Sequence, residues 1–259
     1  MLSNLDEFKK FTATLVEASS KVIVPYFANP DLFVEFKADD SPVTVADRNA
    51  EAVMRELIIK HYPNHGIIGE EFGTDNEAAE FVWVLDPIDG TISFAGGVPL
   101  FGTLIALLHK GQPVLGAIHQ PVLKQFCLGD NETTTLNGRP VQVRQTNTLI
   151  EATLLTTDIL NIARHQNHDK FDVLLNQVRL FRMWGDCYGY LLLASGWVDI
   201  MLDPIMNPWD ILPIIPVIQG AGGVITDWNG KSAVEGTSCI AASPQLHGLV
   251  LAILNANDK

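Results

Sequence analysis

Apolar residues recur at helical spacing over residues 5–27 (Leu5, Phe8, Phe11, Leu15, Ala18, Val22, Val24), and the pattern ends ahead of Pro30, which predicts a long amphipathic first helix. A second helix is predicted over residues 44–62. Pro42 precedes it, Thr44 can cap it, Ala50, Val53, Met54, Leu57 and Ile58 form its apolar face, and Pro63 stops it. The period then shortens. Ile67 and Ile68 lead into Gly-Glu-Glu, residues 81–85 read as a strand, and residues 102–108 with 114–119 read as a hairpin about Lys110 and Gly111. The turn-rich stretch NGRPVQV at 137–143 marks a boundary. It divides the chain into an N-terminal α+β half, 1–144, and a C-terminal α/β half, 145–259, in which strands (151–156, 198–202 and one entered from AGGVIT) alternate with helices (171–178 and 188–194).

The 259 residues, 47% hydrophobic and 18% charged, can bury a sizeable core. The opening MLSNLDEFKKF lacks the basic stretch and apolar run of a secretory signal, and no apolar segment is long enough to span a bilayer. A soluble cytoplasmic protein without membrane contact is expected. Cys127, Cys187 and Cys239 have no paired spacing and are expected to be buried thiols, and the seven histidines show no ligand pairing. A net charge of -13, with 17 Lys and Arg spread along the chain, argues against a nucleic-acid surface. That charge would also repel a phosphorylated substrate, unless acidic side chains hold divalent cations that reverse the local field.

Candidate chemistry begins at WVLDPIDGTISFAGG, residues 83–97, where a hydrophobic run ends in Asp86 and Asp89 on either side of Pro87 and Ile88. Residues three apart on a strand face opposite ways, so convergence of the two carboxylates requires a turn to begin at Pro87. Gly90 permits close backbone approach, and a helix opening near Thr91 would present free N–H groups to a phosphate. Two carboxylates beside a phosphate cradle suit magnesium-assisted phosphoryl chemistry, although a turn cap and a solvated acid would account for the pair as well. An exposed loop accounts equally for Glu70 and Glu71 in IIGEEFG. Asp47, third after Thr44, fits a capping box, and so does Asp210 after Asn207 and Pro208. Either acid would be expected to stay ionised at a helix N-terminus.

SPVTVADRNAE, IIGEEFG, WVLDPIDGTISF and NPWD, in this order, strongly resemble the inositol monophosphatase family of magnesium-dependent, lithium-sensitive phosphatases, over nearly the whole chain. The resemblance implies a layered α/β/α/β/α sandwich of the inositol monophosphatase and fructose-1,6-bisphosphatase type. It also implies two or three Mg2+ ions, which Mn2+ can replace, and a homodimer. Glu70, Asp86 and the Ile88 carbonyl would hold the first metal; Asp86 would be shared with the second, completed by Asp89 and Asp210. Asp47 and Thr91 would activate water, with Glu70 counted in the catalytic set, Gly90 and Thr91 would bind phosphate, and Glu71 would support the site.

Residues 185–210, GDCYGYLLLASGWVDIMLDPIMNPWD, resemble the histidinol-phosphatase branch of that family. Gly185, Asp186, Asp203 and Asn207 would then join Asp89 and Asp210 around the substrate as an anionic rim suited to an ammonium and an imidazole. A helix cap is the other reading of Asp186, Asp199 is assigned to a turn, and Trp184 and Trp209 are candidate pocket walls. Two features depart from the pattern: Pro213 and Pro216 after Asp210 should kink or shorten the helix there, and Trp197 occupies a position where histidinol-type relatives often carry a basic residue. The expected activity is histidinol-phosphate hydrolysis in histidine biosynthesis, by two-metal activation of water on a small phosphorylated metabolite. Alternatives are an inositol-1-monophosphatase, a broader sugar-phosphate or nucleotide phosphatase, and a non-catalytic binding protein of the same fold.

Overall fold

The computed structural model describes residues 4–29, 34–36 and 42–256. The first helix, α1 (Leu5–Ile23), gives way to a 3-10 turn at Val24–Tyr26 rather than running to Phe27, because Pro25 has no N–H with which to continue the ladder. A two-stranded antiparallel ribbon, β1 (Val34–Phe36) and β2 (Pro42–Thr44), feeds α2 (Val45–His61).

An eight-stranded sheet follows. Its spatial order is β10 (Arg139–Pro140), β9 (Thr134–Leu136), β8 (Gln125–Gly129), β7 (Gln112–Gln120), β6 (Gly102–His109), β5 (Phe81–Asp89), β3 (Gly66–Gly69) and β4 (Gly73–Asp75). Only the β3–β5 pair is parallel. Lys110 and Gly111 both take positive φ, 52° and 78°, the conformation that closes a two-residue hairpin between β6 and β7. A five-stranded sheet, in the order β12 (Leu180–Arg182), β11 (Thr153–Leu155), β13 (Ile200–Asp203), β15 (Cys239–Ala242) and β14 (Val224–Thr226), is drawn from later residues.

Strand alternation sorts the side chains into layers. Trp83, Leu85, Ile105 and Leu107 face α1 and α2, where Phe8, Phe11, Leu15, Met54 and Ile58 meet them. Val82, Val84, Leu104 and Ala106 face the other way, onto α6 (Asp186–Ala194) and α7 (Pro208–Gly220), whose far side meets Leu155, Met201 and Ala241 of the second sheet. Leu154, Ile200, Leu202 and Ile240 point outward to α4 (Ile159–His165), α5 (His168–Leu175) and α8 (Pro244–Leu254). The result is the expected α/β/α/β/α sandwich.

Burial settles two features that the sequence left open. The helix after Asp210 is not shortened: α7 runs 13 residues through both Pro213 and Pro216. Each proline costs a helix about 3 kcal/mol, yet Ile211 through Ile218 are all buried between the two sheets. Packing of that order outweighs the local penalty. The fit is close: a Cβ on Gly116 of β7 would lie 2.0 Å from the Pro213 carbonyl oxygen, and one on Gly129 of β8 would lie 2.5 Å from that of Pro216. Asp199 lies in the turn between α6 and β13, as expected, but not at the surface. It is buried and accepts hydrogen bonds from the Arg144 guanidinium, the Thr146 hydroxyl and the Thr153 N–H, a clamp that holds its carboxyl below the usual range despite burial. The three cysteines are free and buried. No helix among the described residues is long and apolar enough to cross a membrane.

Candidate active site

The first sheet delivers its acids where β5 leaves it. The strand does not end in a turn at Pro87; it stays paired with β6 as far as Asp89, and the register shifts between Asp86 (opposite Leu104) and Asp89 (opposite Gly102). One extra residue in β5 reverses the strand's alternation, so residues three apart share a face. The bulge is pinned by the Thr103 hydroxyl donating to the Pro87 carbonyl (2.8 Å), the Ile88 N–H donating to Asp86 Oδ1 (3.0 Å) and the Thr91 hydroxyl donating to the Ile88 carbonyl (3.0 Å). Gly90 then takes φ 84° and opens a short helix, α3 (Thr91–Ala95). A Cβ there would meet the Leu100 carbonyl at 2.8 Å and Asp186 Oδ2 at 2.9 Å.

Asp210 arrives from the middle layer. Its Oδ2 accepts the Asn207 N–H at 2.8 Å at the start of α7, as the capping pattern predicts. One carboxylate oxygen from each of Asp86, Asp89 and Asp210 lies within 4.8 Å of the others. Glu70 follows β3, its N–H donating to the Leu85 carbonyl at 3.1 Å; its side chain lies beside Asp86 and its charge raises the Asp86, Asp47 and Asp210 carboxyls. Asp47 is fully buried. Its Oδ2 accepts the Thr44 N–H (2.8 Å) and hydroxyl (2.5 Å), while Oδ1 has no partner among the described residues.

Asp186 is not a helix cap: it takes φ 50°, its N–H donates to the Thr157 hydroxyl at 2.8 Å, and its carboxylate faces Gly90 and Ser93. The next N–H, of Cys187, donates to Asp89 Oδ2, tying α6 to the end of β5. Asp203 is buried behind this group and accepts from the Thr157 N–H and the Tyr190 hydroxyl, each at 2.9 Å. Gly185 is buried against Thr157, too close for any Cβ. Asp89, Asp186, Asp203 and Asp210 share one cavity with Thr157 and Asp158. Asn207 is exposed and does not line it, and neither do Trp184, half exposed, or Trp209, which packs on the central core.

Without metal, these acids hold their protons more tightly than expected at helix N-termini. Burial lifts the Asp47 carboxyl to about 6, against the opposing hydrogen bonds from Thr44 and with help from the Glu70 charge. Burial also raises Asp86 well above the usual range, with Glu70, Asp89 and Asp210 adding to it. Asp89 and Asp210 are raised by burial and by neighbouring acids, Asp186 foremost for the former and Asp89 for the latter. Desolvation outweighs the helix ends. Among the described residues no Lys or Arg offsets Asp86, Asp89 or Asp210. Three crowded carboxylates, hard oxygen donors without a counter-charge, fit a divalent cation such as Mg2+.

Thr157, Asp158 and Asn161 also line the cavity, and the sequence reading missed them. Their one signal is position, immediately past the carboxyl end of β11, where sheets of this kind receive ligands.

A two-sheet sandwich with an acid cluster at the junction of its layers defines a metal-dependent phosphomonoester hydrolase. The chain belongs to the inositol monophosphatase family, whose profile matches residues 4–259. It is 45% identical over 232 residues to bifunctional phosphatase IMPL2, chloroplastic, of Arabidopsis thaliana, a match covering 88% of this chain and 66% of that protein. It is 38% identical over 247 residues to the histidinol-phosphatase of Chlorobaculum parvum, covering 95% of each. Among solved structures, it superposes with a TM-score of 0.86 on an inositol monophosphatase from Zymomonas mobilis, 34% identical, covering 98% of this chain and 99% of that one. Members of this fold have been solved with Mg2+ or Ca2+.

Proposed function

We propose that the chain hydrolyses a small phosphomonoester bearing a cationic group, L-histidinol phosphate before others, to the free alcohol and phosphate. The observation that carries the reading is the meeting of Asp86 and Asp89 from β5 with Asp210 from α7 within 4.8 Å. Glu70, Asp86 and the Ile88 carbonyl would hold one Mg2+ and Asp86, Asp89 and Asp210 a second, with Mn2+ an acceptable substitute. When bound, such cations polarise the phosphate, acidify water and stabilise the leaving alkoxide.

The protein's own groups do the rest. Asp47 Oδ1, buried beside Glu70 and unpartnered among the described residues, would accept a proton from water. The Thr91 hydroxyl spends its hydrogen on the Ile88 carbonyl, which leaves its oxygen lone pairs to orient that water. The N–H groups of Gly90 and Thr91, in the first turn of α3, hold phosphate oxygens. Asp186, Asp158 and Asp203 give the cavity an anionic wall, which favours an ammonium or imidazolium over a neutral polyol. The histidinol-phosphatase relative supports this choice, and the Zymomonas mobilis relative makes inositol 1-phosphate the comparison.

Phosphate release from histidinol phosphate and inositol 1-phosphate, with Mg2+ and with a chelator, tests the reading. It expects kcat/KM at least about tenfold higher for histidinol phosphate, the worth of one good polar contact of about 1.4 kcal/mol, and no release with chelator. Equal or reversed preference refutes the substrate, and release that ignores the chelator refutes the chemistry.

A further inference from the structure

Glu51 is a completely buried glutamate on α2, one turn beyond Asp47 and on the same face of the helix. The proposed chemistry does not use it. Its Oε2 accepts the Glu71 N–H at 2.8 Å, and its Oε1 accepts the Phe72 N–H at 3.2 Å and Arg55 Nε at 2.7 Å. Arg55 reaches on to the Gly73 carbonyl and lies 6.0 Å over the Phe72 ring. One carboxylate thus holds Glu71 and Phe72 of the turn between β3 and β4 directly, and Gly73 at the start of β4 through the Arg55 guanidinium. The turn lies so close that a Cβ on Gly69 would fall 2.0 Å from Glu51 Oε1.

Glu70 sits between these anchors. On one side its N–H is fixed to the Leu85 carbonyl of β5, and on the other Glu71 and Phe72 are fixed to α2. The backbone that bears the Glu70 carboxylate is therefore held by Leu85 on one side and by Glu51 on the other. Only an acceptor-only side chain can serve two N–H groups and a guanidinium together, since a glutamine would turn an NH2 toward one of them.

We infer that Glu51 is a positioning residue that sets the affinity of the site for metal through Glu70. The inference rests on the reading of Glu70 as a metal ligand. Mn2+ titration by calorimetry on the full chain, with steady-state rates and melting in chelator, tests it in wild type, Glu70→Gln, Glu51→Gln and Arg55→Gln. Glu51→Gln should raise the Mn2+ dissociation constant about tenfold or more, as loss of a group orienting a ligand does, and leave kcat at saturating Mn2+ close to wild type. Arg55→Gln, which slackens the same turn with Glu51 in place, should shift affinity in the same direction. Wild-type Mn2+ affinity in Glu51→Gln beside a lowered melting temperature would make Glu51 merely structural and overturn the inference. Should that variant fail to fold, wild-type affinity in Arg55→Gln overturns it. Wild-type affinity in Glu70→Gln is a different result, since it removes Glu70 as a ligand and the inference falls with its premise.

Discussion

In the metal-free protein Asp47 is a destabilising charge, and its neutral isostere should be more stable than the wild type. Asp47→Asn can keep the amide oxygen where Oδ2 accepts from Thr44, so the cap survives while the charge is lost. A carboxyl moved by folding from 3.8 to about 6 carries about 3 kcal/mol against the folded state once ionised in both states. The amide nitrogen would take the place of Oδ1, which is itself buried without a partner among the described residues, so one unsatisfied atom replaces another. A net gain of about 2 kcal/mol is expected, in keeping with the general trade between stability and function. The sign fixes the pH window. Between about 4 and 6 the folded carboxyl holds a proton that the unfolded one has released, so wild-type stability falls with rising pH over this span. The advantage of Asp47→Asn should be full above pH 6 and vanish below about 4. Urea unfolding in chelator at pH 4, 5, 6 and 8 measures it, and a gain independent of pH, or none at pH 8, would refute the account. Phosphatase activity should fall by about 10²-fold or more in the same variant.

Three further outcomes test other parts of the structure. Asp199→Ala leaves the Thr153 N–H without its acceptor and removes the bonds from Arg144 and Thr146, and because Arg144 is partly exposed and can rehydrate it should cost about 1–3 kcal/mol in urea unfolding; a loss under about 0.5 kcal/mol would mean the clamp is solvated. Gly116→Ala puts a methyl against the Pro213 carbonyl, so α7 must shift at a cost of about 1–3 kcal/mol; half-saturating Mg2+ should rise with it because Asp210 rides on α7, and unchanged metal dependence would separate helix placement from the site. Asp186→Ala should raise KM for histidinol phosphate about tenfold while kcat holds, and an unmoved KM removes Asp186 from substrate contact.

Local patterns were readable wherever the interaction joins residues near in the chain. The Thr44 to Asp47 and Asn207 to Asp210 spacings each mark a capping contact, and both are present. Lys110-Gly111 marks a hairpin turn, and the apolar spacing of Phe8, Phe11 and Leu15 marks a buried helix face. The metal-ligand candidates were named through family resemblance, not through spacing: Asp86 and Asp89 alone allow a solvated turn. The bulge that turns both to one side was misread as a turn, because a strand's alternation is broken by its neighbour's register, which no short stretch records.

By itself, then, the sequence determined the helices α1 and α2, the β6–β7 hairpin and the caps at Thr44 and Asn207, since these depend on hydrogen bonds and side-chain periods within a few residues, whereas α4 and α8 went unpredicted. Only the folded chain decided that α7 would continue unshortened past two prolines, that Asp199 would be buried under Arg144, that Glu51 would be enclosed against the turn bearing Glu70, and that Asp47 would gain rather than lose affinity for its proton. Each of these outcomes is set by desolvation and by contacts between distant residues, and both quantities exist only once the two sheets have closed on the helices between them.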